Sequence, residues 1–362
     1  MRRIANIVLL LALSLCTWAE TQAQVWEKAV LYPSFDAKGA PITLSGLLSV
    51  PQDKTPKGII LIPHYTISAN DEAPSNKITR EAKNFVDDYV LVMPDYIGYG
   101  VTAERINPYL AGELTAHNCI DMLIHVQPIL DSLQLGIPTD SLYIVGYSQG
   151  GASAMWIFRM LEEQYSDRFH VKACFAGSGP YDVATTYDEA VAANHNNLPL
   201  AVTMLIMGTS EAYDLGLDTD YFFTRKMKRA YKEYIADKQI GVIPIYFLMP
   251  EHRLSRWLTR KGMDKTQPQT ERLYNGLMRS SFVHYPIDGV GDTICTDWSP
   301  KAPLYVFHST TDHIVTFRCA QHLHQCLGDK ENITWDFAPY GDHHFAFKPF
   351  FQKVKEKLTE PE

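Results

Sequence analysis

The stretch from Gly146 to Gly151, which reads GYSQGG, holds the serine whose neighbours best define its chemistry. It follows the apolar run LYIV and precedes the helical pattern ASAMWIFRMLEEQY, so Ser148 falls on a sharp strand-to-helix turn. Glycine at positions 146 and 150 lets the strand and the helix approach closely, which leaves the hydroxyl projecting from the turn. The pattern predicts a nucleophilic serine and places the N–H of Gln149 at a helix start, where it can donate to an oxyanion.

A serine hydroxyl attacks a carbonyl when a base takes its proton and an acid holds that base in the correct tautomer. Asp312 is the predicted acid, because it lies in the polar loop that follows the strand-like run 303–307. Asp292 and Asp297 are alternatives, but neither follows such a run. A turn-capping role is the other interpretation of Asp312.

Two adjacent histidines, His343 and His344, follow a second strand-like run at 333–337 and a Pro/Gly turn. Imidazole titrates near neutral pH, so either histidine can move a proton. The order serine, acid, histidine, with each residue in a loop after its own strand, is the order that this kind of serine turn requires. The local sequence does not decide between the two histidines.

Short apolar runs alternate with amphipathic helical patterns along most of the chain, and several of the runs end in Gly, Asp or Ser loops. This alternation predicts an α/β fold with a mostly parallel central sheet that helices cover on both faces. Such sheets carry their sites in the loops that follow the strands.

The pattern changes at 181–296, where helical stretches rich in Met, Tyr, Leu and Phe replace the alternation. We expect a helical cap here, inserted before the acid-bearing strand into a core formed by 24–180 and 297–362. Additional core helices of the same domain are the alternative. The apolar side chains suit an acyl chain or an aromatic acid, and they are equally what such helices need for packing.

The composition is that of a globular protein, with 46% hydrophobic residues in a chain of 362. A net charge of −8, with only the short basic run TRKMKR near Arg225, does not favour binding to nucleic acid. No CxxC pair occurs, and His322 and His324 lie on different faces of a predicted helix. We therefore expect neither a metal site nor another cofactor.

The N-terminus reads as a targeting segment, with MRR as the positive region, IANIVLLLALSLC as the apolar region and AETQA as the cleavage region. We expect a signal peptide at 1–23, cleaved after Ala23, and a secreted or periplasmic protein. A lipoprotein site at Cys16 is disfavoured because the bulky Leu15 precedes it. No later apolar run is long enough to span a membrane, so no stable membrane span is expected.

The cysteines beyond the predicted cleavage site are odd in number, so at least one thiol stays free; they are Cys119, Cys174, Cys295, Cys319 and Cys326. Cys319 and Cys326 lie two helical turns apart, about 10 Å, too far for a bridge. We expect any disulfide to join Cys295 to the region of Cys319. Cys119 and Cys174 are expected to be buried thiols.

The motifs together resemble the α/β-hydrolase fold family, most closely its secreted lipase- and esterase-like branch of the secretory lipase type. The resemblance rests on GYSQGG, PDYIGYG, HSTTDHIV and GDHHFAFKPFF, and covers the chain from about residue 40 onward, weakly across 181–296. It implies Ser148 as the nucleophile and Asp312 as the acid. It implies His343 as the base, with His344 as the alternative, because the family's ending places the base directly after an Asp or a similar residue.

The resemblance also implies a second oxyanion donor after the third strand, in a stretch that reads HYT here. Tyrosine stands where the family usually has glycine, so the amide of Thr66 is favoured and that of Tyr65 is the alternative. His64 is expected to have a structural role. Tyr96 and Tyr99 are candidates for substrate contact, although a structural turn explains them equally well.

These observations predict a secreted serine carboxylic ester hydrolase, lipase- or esterase-like, which forms an acyl-enzyme from a small-molecule, lipid or acylated ester. One alternative is a serine peptidase of the same fold, which would need a defined pocket for a peptide amine. Another is a non-catalytic binding protein on a hydrolase scaffold, which would not need all three of serine, acid and histidine.

Overall fold

An eight-stranded sheet runs through the protein. The computed structural model describes residues 25–138, 140–286 and 292–359, so the predicted signal peptide at 1–23 lies outside them. The strands are β1 (Val25–Phe35), β2 (Pro41–Pro51), β3 (Ile59–Leu61), β4 (Val90–Pro94), β5 (Leu142–Tyr147), β6 (Val171–Gly177), β7 (Leu304–Ser309) and β8 (Ile333–Ala338). Their order across the sheet is β1-β2-β4-β3-β5-β6-β7-β8.

The sheet is mostly parallel, as predicted. β1 pairs antiparallel with β2, and β2 antiparallel with β4, whereas every pairing from β4 through β8 is parallel. β4 is buried at every position, as expected for a central strand covered on both faces. β1, at the edge, alternates between buried and exposed residues over much of its length, because one of its faces is open to solvent.

Helices cover both faces of the sheet. They are α1 (Gly112–Leu133), α2 (Gln149–Gln164), α3 (Val183–Ala192), α4 (Pro199–Ala212), α5 (Thr219–Phe222), α6 (Arg225–Ala230), α7 (Val242–Leu248), α8 (Pro268–Ser280), α9 (Phe317–Leu327) and α10 (His343–Thr359). Apolar residues of α1 and α2 fill the core on one face, and Phe350 and Phe351 of α10 fill the core on the other. None of the helices described is long and apolar enough to cross a membrane.

The chain between β6 and β7 contains the helices α3 to α8, and its described residues add no strand to the sheet. We call residues 178–303 the intervening helical segment. A π-helical turn, Tyr231–Ile235, continues α6, and short 3₁₀ turns join several of the other helices. Over the described residues of this segment, strand–helix alternation gives way to helices alone.

The disulfide joins Cys295 to Cys326, not to Cys319. Both cysteines of the 319–326 pair lie on α9, but Cys319 is buried and its thiol lies 3.2 Å from the carbonyl oxygen of Gly179. Cys326 is two turns further along the helix, at the end that faces Cys295. Cys119 and Cys174 are free and buried.

A buried carboxylate, Asp182, connects two parts of the intervening helical segment to each other and to α9. It lies at the start of α3, and its oxygens are 2.9 Å from Nδ1 of His284 and 2.7 Å from Nδ1 of His322. The backbone N–H and the hydroxyl of Thr185 also donate to it. Burial opposes ionisation, but the hydrogen bonds from His284 and His322 outweigh burial and lower the pKa of Asp182 to about 2.

Replacing Asp182 with Ala should destabilise the protein by about 3–5 kcal/mol, because the donors that surround it would lose their acceptor inside the core. Chemical denaturation of the wild type and Asp182→Ala measures the difference. Asp167→Ala removes an exposed carboxylate and is the control. A loss below about 1 kcal/mol at neutral pH would show that Asp182 does not hold the segment in place.

Because the pKa of Asp182 is lowered, the wild-type carboxylate should keep its contribution to the free energy of unfolding down to about pH 4 and lose it as the pH falls towards 2.

Candidate active site

Ser148 lies on a strained turn between β5 and α2. Its backbone has φ 58° and ψ −123°, and its N–H donates to the carbonyl oxygen of Gly177 at 2.8 Å. A Cβ atom at Gly146 would collide with the carbonyl oxygen of Gly150, and one at Gly150 with that of Pro63. The glycines therefore allow β5, α2 and the loop after β3 to meet at this turn.

Asp312 lies in the loop between β7 and α9, with 7% of its surface exposed. Its Oδ1 accepts hydrogen bonds from the backbone N–H groups of Ile314 and Val315, both at 2.9 Å. Burial alone would raise the pKa of Asp312, but the imidazole of His343 and these amides hold it below its usual value. The carboxylate is thus kept ionised in a buried position.

His343 is the first residue of α10, and it lies between the other two predicted residues. Its Nε2 is 2.8 Å from Oγ of Ser148, and its Nδ1 is 2.5 Å from Oδ2 of Asp312. These distances allow the hydroxyl to donate to Nε2 while the Nδ1 proton is donated to the carboxylate. The structure therefore brings Ser148, Asp312 and His343 together in one hydrogen-bonded chain.

His344 and the alternative acids lie outside this chain. His344 is exposed, and its ring centroid is 6.0 Å from that of His343. Asp292 and Asp297 are exposed, in the stretch that leads to β7.

Two residues that the sequence analysis did not identify fix the position of His343. Oδ1 of Asp342 accepts the backbone N–H of His343 at 2.9 Å, and its Oδ2 accepts from the side chain of Asn197 in the intervening helical segment at 3.0 Å. The hydroxyl of Tyr147 donates to the carbonyl oxygen of His343 at 2.6 Å. Asp342 could have been predicted, because an Asp directly before a helix is a typical N-cap.

The loop after β3 lies beside the serine turn, and it contains the predicted oxyanion donors. Tyr65 and Thr66 line the same cavity as Ser148, and the Thr66 hydroxyl is 2.7 Å from that of Tyr109. The N–H of Tyr65 points to Oε1 of Glu81 at 3.4 Å, so it is already engaged. This favours Thr66 over Tyr65 as the second of the predicted donors; the first, the amide of Gln149, lies at the start of α2.

Glu81 is buried, with 2% of its surface exposed, and no signal in the sequence marked it. Its Oε1 faces the N–H of Tyr65, while Oε2 has no hydrogen-bond partner among the described residues. Burial with so few donors raises the pKa of Glu81 from 4.5 to about 7. A titratable carboxyl group thus lies directly behind the predicted oxyanion loop.

Tyr96 and Tyr99, the predicted candidates for substrate contact, do not line the cavity that contains Ser148. Both are buried, and their hydroxyls donate to the carbonyl oxygens of His64 and Ile67. Their rings pack on His64, that of Tyr96 stacked on it at 4.0 Å. These tyrosines therefore hold the loop after β3 in place. Their position agrees with a structural turn, the alternative to substrate contact.

His64 is buried as well, and its ring nitrogens lie 2.6 and 3.1 Å from the carbonyl oxygens of Tyr65 and Asp95. Burial lowers its pKa. These contacts agree with the structural role that we expected for it.

A cavity of about 180 Å³ opens at Ser148 and His343. One part, which we call the apolar wall, is formed by Leu110, Ala190, Leu198, Ala201, Val202 and Leu205. Arg80, Ile243 and His344 also line the cavity, and all three are exposed, so they mark its opening. Most of the apolar wall belongs to the intervening helical segment, which therefore forms part of the site.

Among the described residues, no group of three or more His, Cys, Asp or Glu side chains is arranged to hold a metal ion.

No protein-family model matches the chain, and no curated protein matches its sequence. Solved structures do match it. One described as a hydrolase from Legionella pneumophila has a TM-score of 0.79 at 22% identity, over 93% of this chain and 89% of that chain. The rice cell wall degrading esterase LipA from Xanthomonas oryzae has a TM-score of 0.76 at 21% identity, over 94% of this chain and 91% of that chain.

Lipase A of Candida antarctica is also similar, with a TM-score of 0.63 at 17% identity, over 96% of this chain and 85% of that chain. At these identities the similarity concerns the fold. Together with the mostly parallel sheet, it confirms the predicted α/β-hydrolase fold.

Replacing Glu81 with Gln should change how stability depends on pH. Because the folded state raises the pKa of Glu81, the wild type should lose up to about 3 kcal/mol of stability from this group as the pH rises from about 4.5 through 7. Gln cannot ionise, and its oxygen can still accept from Tyr65. We therefore compare the free energies of unfolding of the wild type and of Glu81→Gln at about pH 5 and at about pH 8. Relative to the wild type, Glu81→Gln should be more stable at about pH 8 than at about pH 5.

The exposed Glu331 provides the matched control, Glu331→Gln, for which we expect the same pH dependence as for the wild type. Parallel stability curves for wild type and Glu81→Gln would show that Glu81 does not ionise in this range.

Proposed function

We propose that this protein is a serine hydrolase of carboxylic esters, with Ser148 as nucleophile, His343 as base and Asp312 as acid. The observation that carries the proposal is the chain of contacts from Ser148 Oγ through His343 to Asp312, at 2.8 and 2.5 Å. Esterases and a lipase among the structures of similar fold add support. No described feature favours the peptidase or the non-catalytic alternative.

The reaction begins when Nε2 of His343 takes the Ser148 proton as Oγ attacks the ester carbonyl. The carbonyl oxygen becomes an oxyanion, which the N–H groups of Gln149 and Thr66 stabilise. The imidazolium then gives its proton to the leaving alcohol, and an acyl-serine remains. Water attacks the acyl-serine and gives a proton to His343, which returns it to Oγ as the acid leaves. Asp312 stays ionised throughout and stabilises the imidazolium.

We further propose that the intervening helical segment is a cap over the site, because its residues form most of the apolar wall. Export from the cytoplasm is also part of the proposal. The N-terminal sequence supports it, and so does the Cys295–Cys326 bridge, since disulfides persist in oxidising compartments.

A fluorophosphonate probe should label Ser148 in the folded protein, because only an activated serine reacts with it. Mass spectrometry of peptides locates the adduct, and Ser148→Ala should carry none. Ser153 lies on the next turn of α2 and is buried, so Ser153→Ala is the matched control and should still be labelled. A folded wild type without an adduct at Ser148 would end the proposal.

His343→Ala should lower kcat on p-nitrophenyl acetate by about 10⁴-fold or more, because no other described imidazole reaches Ser148 Oγ. His344→Ala should retain a substantial part of the activity, because its ring lies outside the hydrogen-bonded chain. The reverse result would assign the base to His344 and leave the reaction itself unchanged. Circular dichroism of both variants checks that they fold.

A further inference from the structure

The cavity at Ser148 differs between its two ends. The deep end is the apolar wall, in which Leu198, Val202 and Leu205 are only 5–6% exposed. Leu198, Ala201, Val202 and Leu205 follow one another at the spacing of a single helix face, so α4 and its first flanking residue present one continuous apolar stripe to the cavity. The opening is marked instead by the exposed Arg80, Ile243 and His344.

The order of product release assigns the two halves of an ester to these two ends. The alcohol leaves first and must pass through the opening, whereas the acyl group stays bound to Ser148 until water releases it. Because the acyl group stays bound after the alcohol has left, the closed end of the cavity accommodates it best. The acyl group should therefore lie against the apolar wall, and the alcohol should point to the opening.

The size of the cavity limits the acyl group. An apolar cavity of about 150 Å³ holds one benzene molecule, so a cavity of about 180 Å³ has room for about six carbon atoms. The small side chain of Ala201 contributes to this space, because any larger residue at that position on α4 would project into the cavity.

We propose that the apolar wall is an acyl-binding site for short aliphatic acids of up to about six carbons, and that Ala201 sets this limit. This inference rests on the proposed ester hydrolase function. It narrows the substrate to esters whose acid is short and apolar.

Hydrolysis of p-nitrophenyl esters of acetate, butyrate, hexanoate, octanoate and dodecanoate tests the limit, with each ester kept below the concentration at which it aggregates. Each methylene that enters the wall should raise kcat/KM by up to about fourfold. We expect at least a tenfold rise from acetate to hexanoate and a fall of at least tenfold from hexanoate to dodecanoate.

Ala201→Leu would extend a larger side chain into the cavity and should lower the hexanoate-to-acetate ratio of kcat/KM by at least tenfold. Ala212→Leu makes the same substitution at the far end of α4, outside the cavity, and should keep the wild-type ratio. Val202→Ala enlarges the cavity and should move the best substrate to a longer chain. This variant keeps the test decisive if Ala201→Leu does not fold.

The outcomes separate this inference from the proposed function. If acetate is hydrolysed and Ser148 is labelled, but dodecanoate is turned over as well as hexanoate, the function stands and the acyl-binding site is refuted. The same holds if Ala201→Leu folds and keeps the wild-type ratio. If no ester is hydrolysed and Ser148 is not labelled, the proposed function itself fails.

Discussion

The backbone of Ser148 is held at φ 58°, and the rest of the site depends on that constraint. A non-glycine residue in such a conformation costs about 1–3 kcal/mol, so its surroundings must enforce it. They do so through the hydrogen bond from its N–H to Gly177 and through contacts at Gly146 and Gly150 that leave no space for a Cβ atom. The same close packing brings the loop after β3 against α2, and Thr66 of that loop lines the cavity that opens at Ser148.

Parallel strands then bring distant residues to this turn. Ser148 follows β5, Asp312 follows β7 and His343 follows β8, and these strands lie on the same side of the sheet, in the order β5-β6-β7-β8. Because parallel strands end at one edge, residues 195 positions apart in sequence come within 2.8 Å of each other. The hydrogen bond from Tyr147, the last residue of β5, to the carbonyl oxygen of His343 links the two loops directly.

This explains which features could be predicted from the sequence. The serine turn, the acid and the pair of histidines each follow a recognisable apolar strand, so pattern and order indicated Ser148, Asp312 and the pair, and the family resemblance then favoured His343. Contacts that depend on how the loops pack left no such signal: the burial of Glu81 behind Tyr65, the inward rings of Tyr96 and Tyr99, and the end of α9 that faces Cys295. Periodicity indicates elements and their order, but it does not indicate how loops from different strands meet.

Three buried carboxyl groups show why such packing decides chemistry. Asp182 and Asp312 each accept several hydrogen bonds. Two of those at Asp182 come from histidines, and one of those at Asp312 comes from His343. The pKa values of both carboxyl groups therefore stay below the usual range despite burial. At Glu81, whose Oε1 lies 3.4 Å from the N–H of Tyr65, burial outweighs the hydrogen bonds and raises the pKa to about 7. All three are buried, so the difference lies in the groups around them. Asp312 holds its charge because the imidazole of His343 outweighs the effect of burial, and the loop after β7 adds two amides that donate to its other oxygen.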